Sequence, residues 1–204
     1  MKPFNWINHL EPAKGPPPNN TLSFLKWSLS GSFKILSISG MLSILTGITE
    51  VSAVLLLGLL IDAALNSSVD NPLGNNVFLF SAGLMFFLLI RPIIFGCSSY
   101  MQSVIVTPNI FNLVLSRIHR WCIGHSIPFF ENDFAGRIAQ KEMQTARAVT
   151  DVVVEILQTV LFALASLIGA ALMLLSVNIT LAIALIIWLI FYMFLIGYFM
   201  PVIR

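Results

Sequence analysis

The stretch Ile156-Leu-Gln-Thr-Val-Leu-Phe-Ala-Leu-Ala-Ser-Leu-Ile-Gly-Ala-Ala-Leu-Met-Leu-Leu-Ser-Val177 runs without a single charged side chain. It is long enough as a helix to cross the ~30 Å hydrocarbon core of a bilayer. The residues just before it are of the opposite kind. Gly136, Arg137, Gln140, Lys141, Glu142, Gln144, Arg147, Asp151 and Glu155 populate the preceding turns, so one helix from about 134 to 177 starts in water and ends in lipid. Composition agrees. Of 204 residues, 57% are hydrophobic and 10% charged, and 11 basic plus 9 acidic side chains cannot clothe a water-facing surface of this size. The chain reads as an all-α integral membrane protein.

Working outward, Asn178-Ile-Thr180 allows a tight turn before a further apolar span from 181 to 200, closed by Pro201. Ile35 to Leu65 forms a first span that, as a helix, would be roughly 46 Å long and must tilt or protrude. The polar, turn-rich Asn66–Asn76 segment is a loop. Val77 opens a second span, apolar to about Val106, whose helical spacing continues through Ile110, Leu113, Ile118 and Trp121 to about 125. That helix would be about 73 Å long, over twice the membrane thickness, with Pro92 and Pro108 expected to kink it. Residues 1–20 end in Gly15-Pro-Pro-Pro-Asn-Asn20 and read as an aqueous lead-in lacking the apolar core of a signal peptide. From 21 to 32, capped by Thr21, an amphipathic helix is expected to lie among the headgroups. Leu22, Leu25, Leu29 and Phe33 would share one face, with Lys26, Ser28 and Ser32 turned away.

The bases set the orientation. Lys2, Lys14, Lys26 and Lys34 precede the first span, and Arg117, Arg120, Arg137, Lys141 and Arg147 lie between the second and third. The positive-inside rule therefore places both termini and the 107–155 excursion in the cytoplasm of a multi-pass protein of the cell (inner) membrane. A net charge of +2 with scattered bases offers no face for nucleic acid.

Catalytic constellations are hard to find. His119, Cys122 and His125 stand at three-residue steps, but two such steps swing too far round a helix for all three to reach one ion, so no metal site is expected. Cys97 and Cys122 show no paired spacing. Glu131 and Asp133 sit in a polar link with no pocket implied, as solvated caps. The sequons Asn66-Ser-Ser and Asn178-Ile-Thr matter only in a eukaryotic secretory route. Ala165 with Gly169, and Ala163 with Ser166 and Ala170, permit close helix approach in the third span.

Two features carry expectations about particular residues. Glu50 in the first span and Arg91 in the second would each be expensive alone, at about 2.5–3.5 kcal/mol for a charge at a helix centre. Glu50 is fifteen residues below Leu65 and Arg91 fourteen below Val77, which puts both roughly 21–23 Å down antiparallel helices. An ion pair facing the bundle interior is expected, with Thr46, Thr49 or Ser52 to satisfy spare hydrogen-bonding capacity; the alternative is that Arg91 meets a polar group or water in a cavity while Glu50 is protonated. The adjacent aromatics Phe129 and Phe130 are costly to expose and call for a partner groove.

The segment His125-Ser-Ile-Pro-Phe-Phe-Glu-Asn-Asp-Phe-Ala-Gly-Arg-Ile-Ala-Gln-Lys141, on two helices that run far past the membrane, resembles the "Phe-Phe … Gly-Arg-(Ile/Leu)" stretch of ATP-binding-cassette exporters. Bacterial multidrug/lipid-type half-transporters are the nearest kind, and the likeness covers nearly the whole chain. It departs at Thr145, where many members carry an acid. The resemblance implies a transmembrane domain of six helices, of which residues 21–204 supply the interface helix and four spans. It implies that Ile127, Pro128, Phe129, Phe130, Glu131, Asn132, Asp133, Phe134, Gly136 and Arg137 form the first coupling loop, touching a nucleotide-binding domain in cis or in trans. It also implies a homo- or heterodimer in the full-length form, and ATP and magnesium held by that other domain. No Gly-x-x-x-x-Gly-Lys-Ser/Thr phosphate loop occurs before Arg204, so the chain is expected to be no enzyme by itself, with no cofactor of its own. It reads as a truncated front third of a half-transporter. The alternative is a non-transporting fragment with a structural or interaction role on a full-length relative.

Overall fold

The computed structural model describes residues 7–8, 11–13, 15–66, 76–131 and 135–203. Every element among them is helical. Helix α1 (Thr21–Ser28) is followed by a turn and by α2 (Phe33–Leu65). Helix α3 runs Val77–Ile123, α4 is the short Ile127–Glu131, and α5 is continuous through Ala135–Glu155, Ile156–Val160 and Leu161–Val177. Helix α6 spans Ile179–Ile203. Four of these, α2, α3, α5 and α6, are long and apolar enough to cross a membrane.

The buried core lies toward one end of these helices. Ile35 of α2, Met101 to Val114 of α3 and Ala146, Val149, Val153 and Leu157 of α5 form one cluster with Ile7 and Leu29. This is where a water-driven hydrophobic effect can act. Nearer the other end, Leu88, Ile93, Leu164, Ile168 and most of α6 stay exposed, as side chains bathed by lipid tails should.

In the apolar part small residues set the packing. A Cβ on Gly47 would come within 2.8 Å of both Ala165 Cβ and Phe162 O, and one on Gly169 within 2.9 Å of Val51. So α2 and α5 approach backbone to backbone through Gly47, Ala165, Ser166 and Gly169, the small residues of the third span meeting the first.

Several boundaries differ from the sequence expectations. Asn20, not Thr21, caps α1, its Oδ1 accepting from Leu22 N at 3.4 Å, and α1 ends at Ser28 rather than 32. Gly31, at φ 85°, turns the chain into α2. Ser28 and Ser32 are fully buried while Leu22 and Phe33 point outward, because α1 packs its C-terminal end onto α3. The prolines of α3 fall just after π-helical turns, at Phe86–Ile90 before Pro92 and at Met101–Val106 before Pro108. A missing N–H frees a carbonyl, and local widening with side-chain donors re-satisfies the backbone. Thr107 Oγ1 donates to Gln102 O at 2.9 Å and Asn109 Nδ2 to Ile105 O at 2.7 Å. The turn at 178 is a single extended residue, whose Oδ1 accepts from Thr180 N and starts α6 two residues before the expected 181. The backbone of α6 continues past Pro201 to Ile203. Helix α3 ends at Ile123, and Pro128 falls in the first turn of the short α4, as suits a residue with no N–H to lose there.

Candidate functional site

Among the described residues, charged side chains and the expected coupling loop gather at three places. The first is the ion pair. Arg91 Nη2 donates to Glu50 Oε1 at 3.1 Å and Oε2 at 2.9 Å, joining α2 to α3 at matched depth. Each side chain is 38% exposed, so the pair sits at the edge of the helix packing and not wholly inside it. Its other support comes from an unexpected source. Thr46, Thr49 and Ser52 donate to their own helix at Ser43 O, Leu45 O and Ile48 O, whereas the Phe95 ring lies 5.8 Å from the Arg91 guanidinium carbon. A one-turn neighbour thus offers its π-face to the cation. Glu50 also borders an apolar groove of about 530 Å³ between α2 and α5, where Val54, Ala163, Ser166 and Ala170 line the wall.

The second is Arg117, which sequence reading used only as a cytoplasmic charge. It is 3% exposed. Its Nη1 donates to Trp27 O at 3.0 Å and Ser28 O at 2.9 Å, Nη2 to Ser30 O at 2.8 Å, and Nε to Glu11 O at 3.3 Å. One guanidinium therefore gathers carbonyls from the end of α1, the turn after it and the lead-in, and sits where that helix's dipole is negative. Burial pushes its pKa down, and the Glu11 charge opposes that shift. Trp27 Nε1 adds a bond to Gly15 O at 3.1 Å. Helix α1 is thereby locked to α3 and to the lead-in.

The third is the cytoplasmic end of α3 and the tip. His119 Nδ1 lies 3.1 Å from the buried Glu142 of α5. The Cys122 thiol is pushed up to about 11, first by burial and then by the hydrogen bond and charge of Glu142. His125 Nδ1 instead contacts Trp121 O at 3.0 Å, so His119, Cys122 and His125 do not converge. Among the described residues no group of three His, Cys, Asp or Glu is placed to hold a metal ion. From His125 a run of rings continues outward: His125 to Phe129 at 4.5 Å, Phe129 to Phe130 at 5.2 Å. Ile127 and Phe129 are exposed at 74% and 42%, with Phe130 half-buried behind. Gly136 and Arg137 open α5 at the surface. Asn132, Asp133 and Phe134 of the expected coupling loop lie outside the described residues, as do the side chains of Pro128 and Glu131 and most of the 66–76 loop.

Helices of this length and composition, with their main buried cluster toward one end, are those of a multi-pass membrane protein. Compared with known proteins, the chain is 26% identical over 197 residues to an uncharacterized ABC transporter ATP-binding protein of Haemophilus influenzae. The match covers 94% of this chain and 32% of that relative, so the chain spans about a third of the relative's length. No family model and no solved structure matches.

Proposed function

We propose that this chain forms the membrane-spanning part of an ATP-driven exporter of the ATP-binding-cassette kind, contributing substrate pathway and first coupling loop. The observation that carries this is the alignment of nearly the whole chain with one part of an ABC transporter protein. The long α3 and α5 support it, since both run past their apolar segments to an exposed aromatic tip. In this reading residues 127–137 dock on a nucleotide-binding domain, in cis or in trans. ATP and magnesium belong to that domain, and this chain transmits movement without hydrolysing anything. The bases of the lead-in and of 107–155 put the N-terminus and the tip in the cytoplasm of a cell-membrane protein, and two such units make a dimer.

The experiment is ATP hydrolysis in proteoliposomes. Together with its nucleotide-binding domain, carried in cis or supplied in trans, the protein should show vanadate-sensitive hydrolysis stimulated by transported amphiphiles, while purified residues 1–204 should show none. Hydrolysis by residues 1–204 alone, or none with the nucleotide-binding domain present, contradicts the proposal.

A further inference from the structure

Between α2, α3 and α5 lies a polar pocket of about 210 Å³ that neither the ion pair nor the tip uses. Ser43, Thr46, Ser98, Ser99, Gln102 and Gln158 line it, with Phe95 and Phe162 beside them and no charged residue. Its floor is deep. Ser43, Thr46 and Gln102 are all nearly inaccessible, Gln102 at 3%, while Ser99, Gln158 and Phe95 are exposed at the mouth.

Gln102 is the unusual member. Its Nε2 makes one long bond of 3.5 Å to Ser43 Oγ, and its Oε1 is buried with no partner. An unpaired buried acceptor is costly in any medium. The pocket's depth says what could. Gln102 is twenty-five residues along α3 from Val77 and Ser43 is twenty-two before Leu65. Those lengths are roughly 38 and 33 Å of helix, just beyond the ~30 Å hydrocarbon thickness. This is the level of headgroups, with aromatic rings at the side where an acyl chain would begin.

We infer that the pocket is a binding site for the neutral, hydroxyl-bearing head of an amphiphile, a sugar or glycerol type, with a head hydroxyl donating to Gln102 Oε1. Neutrality follows from the lining. Amides and hydroxyls satisfy a polyol, whereas a phosphate or ammonium would be buried without a counter-charge, the nearby Arg91 being engaged by Glu50. The site needs only these three helices and holds whether or not an ATP-driven partner exists.

The test is photolabelling of the complete protein in nanodiscs. Three probes share one alkyl chain with a diazirine near the head, and carry a glucoside, a phosphocholine or a trimethylammonium head. The glucoside should label peptides spanning 95–102 and 158–162, competed by unlabelled alkyl glucoside, and the two charged probes should not. Gln102→Leu, which removes an unpaired polar atom and so need not destabilise the fold, should lower this labelling about fivefold, the worth of one hydrogen bond. Ser98→Ala serves as the second variant should Gln102→Leu fail to fold. Equal labelling by all three heads, or labelling that persists in the folded variants, overturns the assignment.

Discussion

Arg91 and Glu50, forty-one residues apart in sequence, meet at 2.9 Å across α2 and α3 within segments that otherwise carry almost no charge. Each charge makes the other tolerable. Glu50→Leu or Arg91→Leu alone leaves a lone ion whose insertion costs about 2.5–3.5 kcal/mol, and both should fold in lower yield. The swap Glu50→Arg with Arg91→Glu should recover much of that loss, measured as monodisperse protein after extraction. A double variant no better than either charge-reversed single variant shows that the two act independently.

Arg117 should matter through α1. Arg117→Ala removes the donors to Trp27 O, Ser28 O and Ser30 O, and each charge-assisted bond is worth about 1.5–3 kcal/mol. Helix α1 should then detach from α3, making Lys26 a tryptic cleavage site. Arg117→Lys should be intermediate, since an ammonium cannot span four carbonyls as a planar fork does. Unchanged protection at Lys26 in Arg117→Ala rejects this role.

Gly47→Val places a branched side chain where even a single Cβ would sit 2.8 Å from Phe162 O. Overpacking of this kind costs about 1–3 kcal/mol. Resistance to unfolding by SDS should drop accordingly, whereas Gly58→Val, at a glycine with open space around it, should leave that resistance nearly unchanged.

The thiol of Cys122 provides a pH test. With its pKa pushed from the ordinary 9.0 to about 11, chiefly by burial, the nucleophilic thiolate is scarce at pH 8. In a Cys97→Ser background, alkylation should be slow there and rise as pH approaches about 11. The sign for stability follows: the neutral thiol's contribution is fully present below about 9 and is lost as pH rises through about 11. Glu142→Gln removes the smaller, electrostatic cause and should speed alkylation at pH 8. An alkylation rate at pH 8 matching that of a free cysteine peptide contradicts this environment.

The helices and their approximate ends were readable from uncharged run lengths, because lipid demands long apolar helices and little else. Glu50 and Arg91 could be paired by counting residues from a shared loop. Arg117 could not be placed that way. Its partners are backbone carbonyls 87–106 residues away, and carbonyls have no signature in a sequence. The outward turn of Leu22 and Phe33 was hidden for the same reason, since an amphipathic pattern does not say which face meets protein when lipid can take the other. The burial of Gln102 depends on neighbours on α2 and α5, and nothing in the sequence around it marks that.

If the tip beyond α3 meets a nucleotide-binding domain, a photo-crosslinker at one residue of the tip will report it. With p-benzoylphenylalanine in place of Phe129 in the complete protein in its native membrane, irradiation should give cross-linked peptides from a phosphate-loop-bearing domain. Their yield should change when ATP and vanadate are added. Cross-links confined to lipid or to this chain's own helices, with a yield indifferent to nucleotide, contradict the account.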